Sequence, residues 1–215
     1  LDGNFFNEEI ILSKKNKKKY LVKEFFLPFP RLDNRLGWAA TKNSLRAHYF
    51  TIVGDKVVII SGEGETIFFE KNNISKDKLK QKKISNNIRT ILNSNNYELR
   101  GIRDLFYEDG KIYISLIFKN LKGYSINVYR ADLNFENLNF ELFFETNEYW
   151  ENYNVFSGGR FSKYKDGKIL FSIGYSHVKT AAQKIGSLLG KIISIDKLTS
   201  EHEIISMGHR NPQGL

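Results

Sequence analysis

Three segments of this chain open in the same way: "GDKVVIISGEGETIFFE" (54–70), "DGKIYISLIF" (109–118) and "DGKILFSIGY" (166–175). Each begins on a Gly/Asp turn, continues with Lys, and runs into an apolar, β-branched stretch of strand length. The lysines Lys56, Lys111 and Lys168 stand 55 and 57 residues apart. A second strand follows in every unit: "TIFFE" (66–70), "SINVYRADL" (125–133) and "GKIISID" (190–196). Short strands in sets at a nearly constant interval mark a propeller or a solenoid. A blade of about four strands cannot bury both of its faces alone, so blades stack radially around a channel. In "YSINVYRA" the residues Tyr124, Ile126, Val128 and Arg130 alternate onto one side. The expected fold class is all-β, a β-propeller of four-stranded antiparallel blades. The aromatic share, 14%, suits strands as well.

With a period near 56, the 215 residues hold about three to four blades, placed in 46–215. The fourth unit is expected to start at "EHEIISMGHRN" (201–211). Residues 1–45 match none of the three units and supply a candidate ring-closing strand. An interrupted ring would expose a strand edge and an apolar blade face. The remaining blades, from further chain or from another chain, are therefore expected partners.

The net charge of +9 raises the question of nucleic acid. Its lysines are scattered, with clusters read as turns in "KKNKKK" (14–19) and "KDKLKQKK" (76–83). No recognition helix, zinc-ligand spacing or aromatic-basic strand accompanies them, so nucleic acid is not an expected partner. With no cysteine, disulfides, thiolate metal sites and cysteine nucleophiles are all excluded. No stretch reaches the roughly 20 apolar residues of a membrane span, and no signal peptide is visible.

The string "MGHRNPQGL" (207–215) has the character of a binding site. Arg210 offers a planar fork of donors that keeps its charge, and Asn211 offers an amide, both suited to a planar polar ligand. Pro212 and Gly214 set a tight backbone path around them.

Together with four upstream elements, "GHRNPQGL" resembles the signature of the soluble quinoprotein sugar dehydrogenases, the glucose/sorbosone dehydrogenase family. "SGGRF" (157–161) is similar to the family's Gly-Gly-Arg element, and "DGKILFSIG" (166–174) to its following strand. "AQKIGSLLGKIISID" (182–196) resembles its Ala-Gln to Gly-Lys segment, and "LRGIRDLFYEDGKIYISL" (99–116) is a weaker echo further back. The resemblance is strongest over 156–215. It implies a six-bladed propeller carrying pyrroloquinoline quinone (PQQ) and calcium, which oxidises an aldose sugar in the periplasm or outside the cell. By the same resemblance Arg210 and Asn211 contact PQQ; the bland alternative is that Arg210 ties neighbouring blades by a salt bridge. No metal ligand is expected within this chain, because the family's calcium ligands follow the "RNPQG" strand.

Several positions depart from the family pattern. Where it reads His-x-Gly-Gly-Arg, this chain has Phe156-Ser157-Gly158-Gly159-Arg160, and Phe156 cannot accept the proton that sugar oxidation releases. Ser157 is offset by one residue and is a weak base. Tyr175 and Lys184 replace acids of the pattern. His177, three residues past Gly174, is a candidate substitute base, with a solvated loop histidine as its alternative. His209 reads as a packed or hydrogen-bonded blade residue, and His48 and His202 carry no pattern. Trp38 and Trp150 read as core or blade-edge aromatics, with Trp150 also a candidate for stacking on a sugar. Three readings stay open: a PQQ-dependent sugar dehydrogenase, a catalytically inactive propeller that binds a ligand, a sugar or a protein, and a structural or assembly role in which the basic surface matters.

Overall fold

The computed structural model describes residues 2–12, 18–26, 47–74, 78–151, 158–165, 167–174 and 180–215. Sixteen strands occur in these residues. β1 (Asp2–Leu12) and β2 (Lys19–Phe26) form a long antiparallel hairpin. β3 (His48–Val53), β4 (Lys56–Ser61) and β5 (Thr66–Glu70) form a meander. The chain then contributes β6 (Lys78–Lys80) to β1 before returning with β7 (Lys82–Asn86) to pair with β5. After a short helix, α1 (Ile88–Ser94), come β8 (Glu98–Glu108), β9 (Lys111–Asn120), β10 (Gly123–Asp132), β11 (Asn137–Leu138) and β12 (Glu141–Glu145). The last set is β13 (Gly158–Lys163), β14 (Lys168–Ile173), β15 (Lys191–Asp196) and β16 (His202–Met207).

Three of the sheets are blades: β3-β4-β5-β7, extended at its edge by β11, then β8-β9-β10-β12, then β13-β14-β15-β16. The fourth sheet, β2-β1-β6, joins the N-terminal hairpin to β6, which lies between β5 and β7 in the chain. Architecture and blade size are those expected from the recurrence. The Gly/Asp turns join the first and second strands of each blade, and Lys56, Lys111 and Lys168 each open the second strand. Asp109 (φ 50) and Gly110 (φ 76) both lie in the left-handed region, the requirement of a two-residue type I′ hairpin.

Two expectations need correction. Residues 202–207 do not start a fourth unit; they form β16, the outer strand of the third blade, paired with β15 through Ile192↔Ser206 and Ile193↔Ile204. The period alone cannot tell the last strand of one blade from the first strand of the next. The Lys-rich segment 76–83 is not a plain turn either, since it contains β6 and the start of β7. In β7, Lys83 reaches Glu65 at 2.9 Å and Lys82 lies 5.8 Å from the centre of the Phe68 ring. These lysines precede the buried Ile84 and are exposed, so a strand can carry them.

The core lies between the blades. One cluster, with Val58, Ile60, Ile84, Ile102, Ile114, Leu116 and Tyr129, fills the space between the first and second blades. A second, with Ile117, Ile126, Val128, Phe161, Phe171 and Ile193, fills that between the second and third. The middle blade is therefore apolar on both faces: all of Ile112–Phe118 in β9 is buried. Arg130, on the Ile126 and Val128 side, lays its guanidinium 4.8 Å from the Phe143 ring centre and donates to Lys197 O at 2.8 Å. On the first blade's inner strand, by contrast, Phe50 and Ile52 are 67% and 54% exposed.

α1 and its flanks tie the first blade to the second. Asn86 Oδ1 accepts from Ile88 N (3.1 Å), and the Asn87 amide exchanges two hydrogen bonds with the backbone of Phe140 (3.0 and 2.8 Å).

Candidate functional site

The motif residues converge at the end of the third blade opposite its Gly/Asp turn. β13 enters through Gly158 (φ 64) and Gly159 (φ 87), a backbone path that side-chain-bearing residues resist. Space is also short there. A Cβ on Gly158 would stand 2.9 Å from Ser172 O, and one on Gly159 2.6 Å from Arg103 Cβ. The register of β13 against β14 slips between Gly158 and Phe161, so the glycines and Arg160 form a bulge. Such bulges commonly re-aim side chains beside a site.

The segment 208–215 is laced onto this bulge and its neighbours. Gly208 N donates to Ala182 O and His209 N to Gly190 O, both at 3.0 Å. Gly158 N donates to Asn211 Oδ1 at 3.3 Å, and Ser172 Oγ donates to Pro212 O at 3.0 Å. Ser172 Oγ in turn accepts from Arg160 N at 3.0 Å. Four separate stretches, 158–160, 172–174, 181–191 and 208–212, thus share one hydrogen-bonded layer.

Lys191 anchors this layer from beneath. It is fully buried, and its Nζ donates to the carbonyls of Ala181 (3.0 Å), Ala182 (2.9 Å) and Leu189 (3.1 Å). Burial pulls its pKa below the ordinary lysine value, and nearby Glu148 opposes that shift. Three acceptors are the full complement of an ammonium, so Lys191 serves to shape the 181–190 loop. Its signal in the sequence was a lone Lys between Gly190 and an apolar run, which strand patterning does not single out.

Arg160 is committed elsewhere. Its Nη1 donates to Arg103 O (3.1 Å) and contacts Asp104 Oδ1 (3.4 Å), while the guanidinium lies 5.0 Å from the Tyr49 ring centre. Asp104 Oδ2 also accepts from Phe161 N at 2.8 Å. Burial raises the Asp104 pKa, against the hydrogen bond from Phe161 and the charge of Arg160. The inner strands of all three blades, β3, β8 and β13, meet in this clasp. Arg160 thus ties neighbouring blades, a role of the kind weighed for Arg210.

Arg210 itself is exposed and Asn211 half-buried. Asn211 Oδ1 is occupied by Gly158 N and by Gln213 Nε2 (2.5 Å), so its amide hydrogens are the group left for a ligand. His209 Nε2 lies 2.8 Å from Ser206 Oγ, the hydrogen-bonded blade position expected for it. Trp150 is 4% exposed and bridges to Tyr124 in the core, so it packs between blades. Of the other histidines, His48 is an exposed residue of β3, and the His202 ring meets Phe144 edge-on at 5.2 Å. Phe156, Ser157, Tyr175, His177 and Trp38 lie outside the described residues.

The donor set suits a planar polyanion: Arg210, the Asn211 amide, and a backbone whose glycines let a flat group approach closely. For a metal ion the set does not fit. Among the described residues no three His, Asp or Glu side chains gather to hold one. Nor is any helix among the described residues long and apolar enough to cross a membrane.

Comparison with known proteins agrees with this picture. Residues 73–215 match the model of the family described as Glucose / Sorbosone dehydrogenase. No curated protein matches the chain. Similar solved structures include a glucose dehydrogenase, 16% identical with a TM-score of 0.60, over 80% of this chain and 58% of that one. Another is the soluble aldose sugar dehydrogenase of Escherichia coli in its apo-form, 18% identical with a TM-score of 0.56, over 80% and 55% of the two chains. A third is the PQQ-bound form of the aldose sugar dehydrogenase of Streptomyces coelicolor, 16% identical with a TM-score of 0.53, over 79% and 52%. The chain thus spans little more than half the length of these structures. At such identities the likeness carries the fold, a β-propeller of which this chain holds a part.

Proposed function

Because the chain belongs to the glucose/sorbosone dehydrogenase family, we propose that its motif end is a PQQ site in which Arg210 and Asn211 hold the cofactor. The observation that carries this reading is the hydrogen bond from Gly158 N to Asn211 Oδ1, which joins the Gly-Gly-Arg element to "RNPQG". Bound PQQ supplies a two-electron acceptor for the hydride of a sugar C–H bond. Arg210 contributes a permanent positive charge toward a carboxylate or quinone oxygen. Asn211 contributes its amide hydrogens, with the carbonyl end fixed by Gly158 and Gln213. The Lys191 ammonium keeps the loop below them in place.

The reaction also requires a base to take the sugar's hydroxyl proton. Phe156 stands where the family pattern has His, and a phenyl ring accepts no proton. A positioned base contributes about 10²–10⁴-fold in rate, so aldose oxidation is slow or absent even with PQQ and calcium supplied. Lys184, in place of an acid after Ala182-Gln183, points the same way. The second reading, a propeller that binds a ligand, a sugar or a protein without redox turnover, rests on these two positions. His177 is the residue to replace next if turnover is found.

Equilibrium binding of PQQ, followed by its absorbance, tests the site. Arg210→Ala and Asn211→Ala should each weaken binding, and Phe156→His should raise dye-coupled aldose oxidation. Tight binding unaffected by either alanine would remove these two residues from the site. Turnover of an aldose by the unsubstituted protein at about 10 s⁻¹, an ordinary enzymatic rate, would show that another group takes the proton.

A further inference from the structure

β8 carries a buried arginine that none of the roles above uses. In its register with β9, Ile102 pairs with Leu116 and Asp104 with Ser115, which leaves Arg103 as the extra residue of a bulge. Arg103 is only 8% exposed, and its Nε and Nη2 are buried without a hydrogen-bond partner. No ion pair or side-chain hydrogen bond joins it to another described residue. The nearby carboxylate, Asp104, is already engaged by Arg160, Phe161 N and Leu105 N. The guanidinium cannot shed its proton. A buried, unpaired charge is among the costliest features a protein can keep.

Its position suggests what compensates it. The Arg103 stem runs against Gly159, where a glycine Cβ would meet its Cβ at 2.6 Å and its Cγ at 3.2 Å. Gly159 O accepts from Ser115 Oγ at 2.6 Å, and the adjoining Gly158 N holds Asn211. The stem of Arg103 therefore brings the middle blade against the Gly158–Gly159 bulge, in a space that only glycine leaves open.

We propose that Arg103 is a ligand-binding residue, whose guanidinium takes a carboxylate of the molecule bound at the Gly158–Gly159–Asn211 end. The proposal rests on the reading of that end as the site of a planar polycarboxylate. It adds a cation from the middle blade to those on "RNPQG". Two donors pointing from one planar group match the two oxygens of a carboxylate.

The chain, Arg103→Met and Arg103→Lys are titrated calorimetrically at constant ionic strength with PQQ, its neutral trimethyl ester and citrate. Thermal midpoints are measured with and without each probe. PQQ should bind Arg103→Met about 10-fold or more weakly, the usual weight of a charge-assisted contact. Arg103→Lys, which keeps the charge but not the fork, should fall between. Esterification should cost the unsubstituted chain more affinity than it costs Arg103→Met, which has already lost one carboxylate partner. Without ligand, Arg103→Met should melt higher than the unsubstituted chain, the reverse of what a purely structural arginine would show. If PQQ binds all three proteins equally, the assignment of Arg103 is overturned and the PQQ reading stands. If citrate but not PQQ binds, and does so through Arg103, the assignment stands and the PQQ reading fails. If no anionic probe binds or shifts the midpoint, the assignment is overturned. Should Arg103→Met not fold, the comparison of Arg103→Lys with the unsubstituted chain decides.

Discussion

Gly159→Ala separates two uses of glycine that look the same in sequence. At Gly110 the backbone has φ 76 and an added Cβ would meet nothing within 4 Å. The cost of Gly110→Ala is therefore the left-handed backbone alone, about 1–2 kcal/mol. Gly159 has φ 87, but its Cβ would also stand 2.6 Å from Arg103 Cβ and 3.0 Å from Ile126 Cδ1. Arg103 Cβ is fixed to a buried strand and cannot swing away. Parting β13 from the second blade is an overpacking cost of about 1–3 kcal/mol. Gly159→Ala should thus cost about 2–5 kcal/mol in all. At about 3 °C per kcal/mol for a chain of this size, it should melt some 3–9 °C below Gly110→Ala. Urea unfolding followed by circular dichroism, with thermal melts of both variants, measures the difference. If the two midpoints agree within a degree, the close approach of the second and third blades at Gly159 is wrong. The site built on that approach then goes with it.

Lys191→Met should destabilise the chain by about 2–4 kcal/mol, since three carbonyls lose a charged donor while the cost of burying an ammonium is relieved. Hydrogen exchange should show the loss concentrated at residues 181–191. Arg160→Met leaves the Asp104 carboxylate without its cation, at about 2–3 kcal/mol near neutral pH. Burial already raises the Asp104 pKa, and the substitution raises it further, so the folded variant binds a proton more tightly than its unfolded chain. Its deficit should shrink as pH falls through that raised value, and a deficit constant with pH would refute the pairing. Lys197 sits 2.6 Å from Asp109 across the second and third blades; its hydrogen bond is the main cause holding the Asp109 carboxyl below its ordinary range. Asp109→Asn should cause a small loss that is constant at neutral pH and vanishes in acid as Asp109 protonates, read from melts across a pH series.

The blades were legible in the sequence because their signals are local. A Gly/Asp turn, a Lys and a β-branched run form a hairpin from adjacent residues alone, and its recurrence marks three blades, though not where the third one ends. The family elements around Gly158, Arg210 and Asn211 were legible as strings of residue types. Their meeting was not, because Gly158 and Asn211 are 53 residues apart, with the four strands of the third blade between them. Arg160 shows the limit most plainly. The string "GGR" leaves the role of its arginine open, and the guanidinium goes to the backbone of Arg103, 57 residues away, and to the Tyr49 ring. Lys191 is hidden for another reason: its three carbonyls lie only 2 to 10 residues away, but in a loop whose path strand patterning does not describe. Sequence determined that this chain builds blades, since turn and strand preferences act over a few bonds. Which charges are buried, paired or left open toward a ligand was decided only when the blades packed. A charge takes its energy from whatever surrounds it in space, and those neighbours come from other blades, as for Arg160, or from a folded loop, as for Lys191.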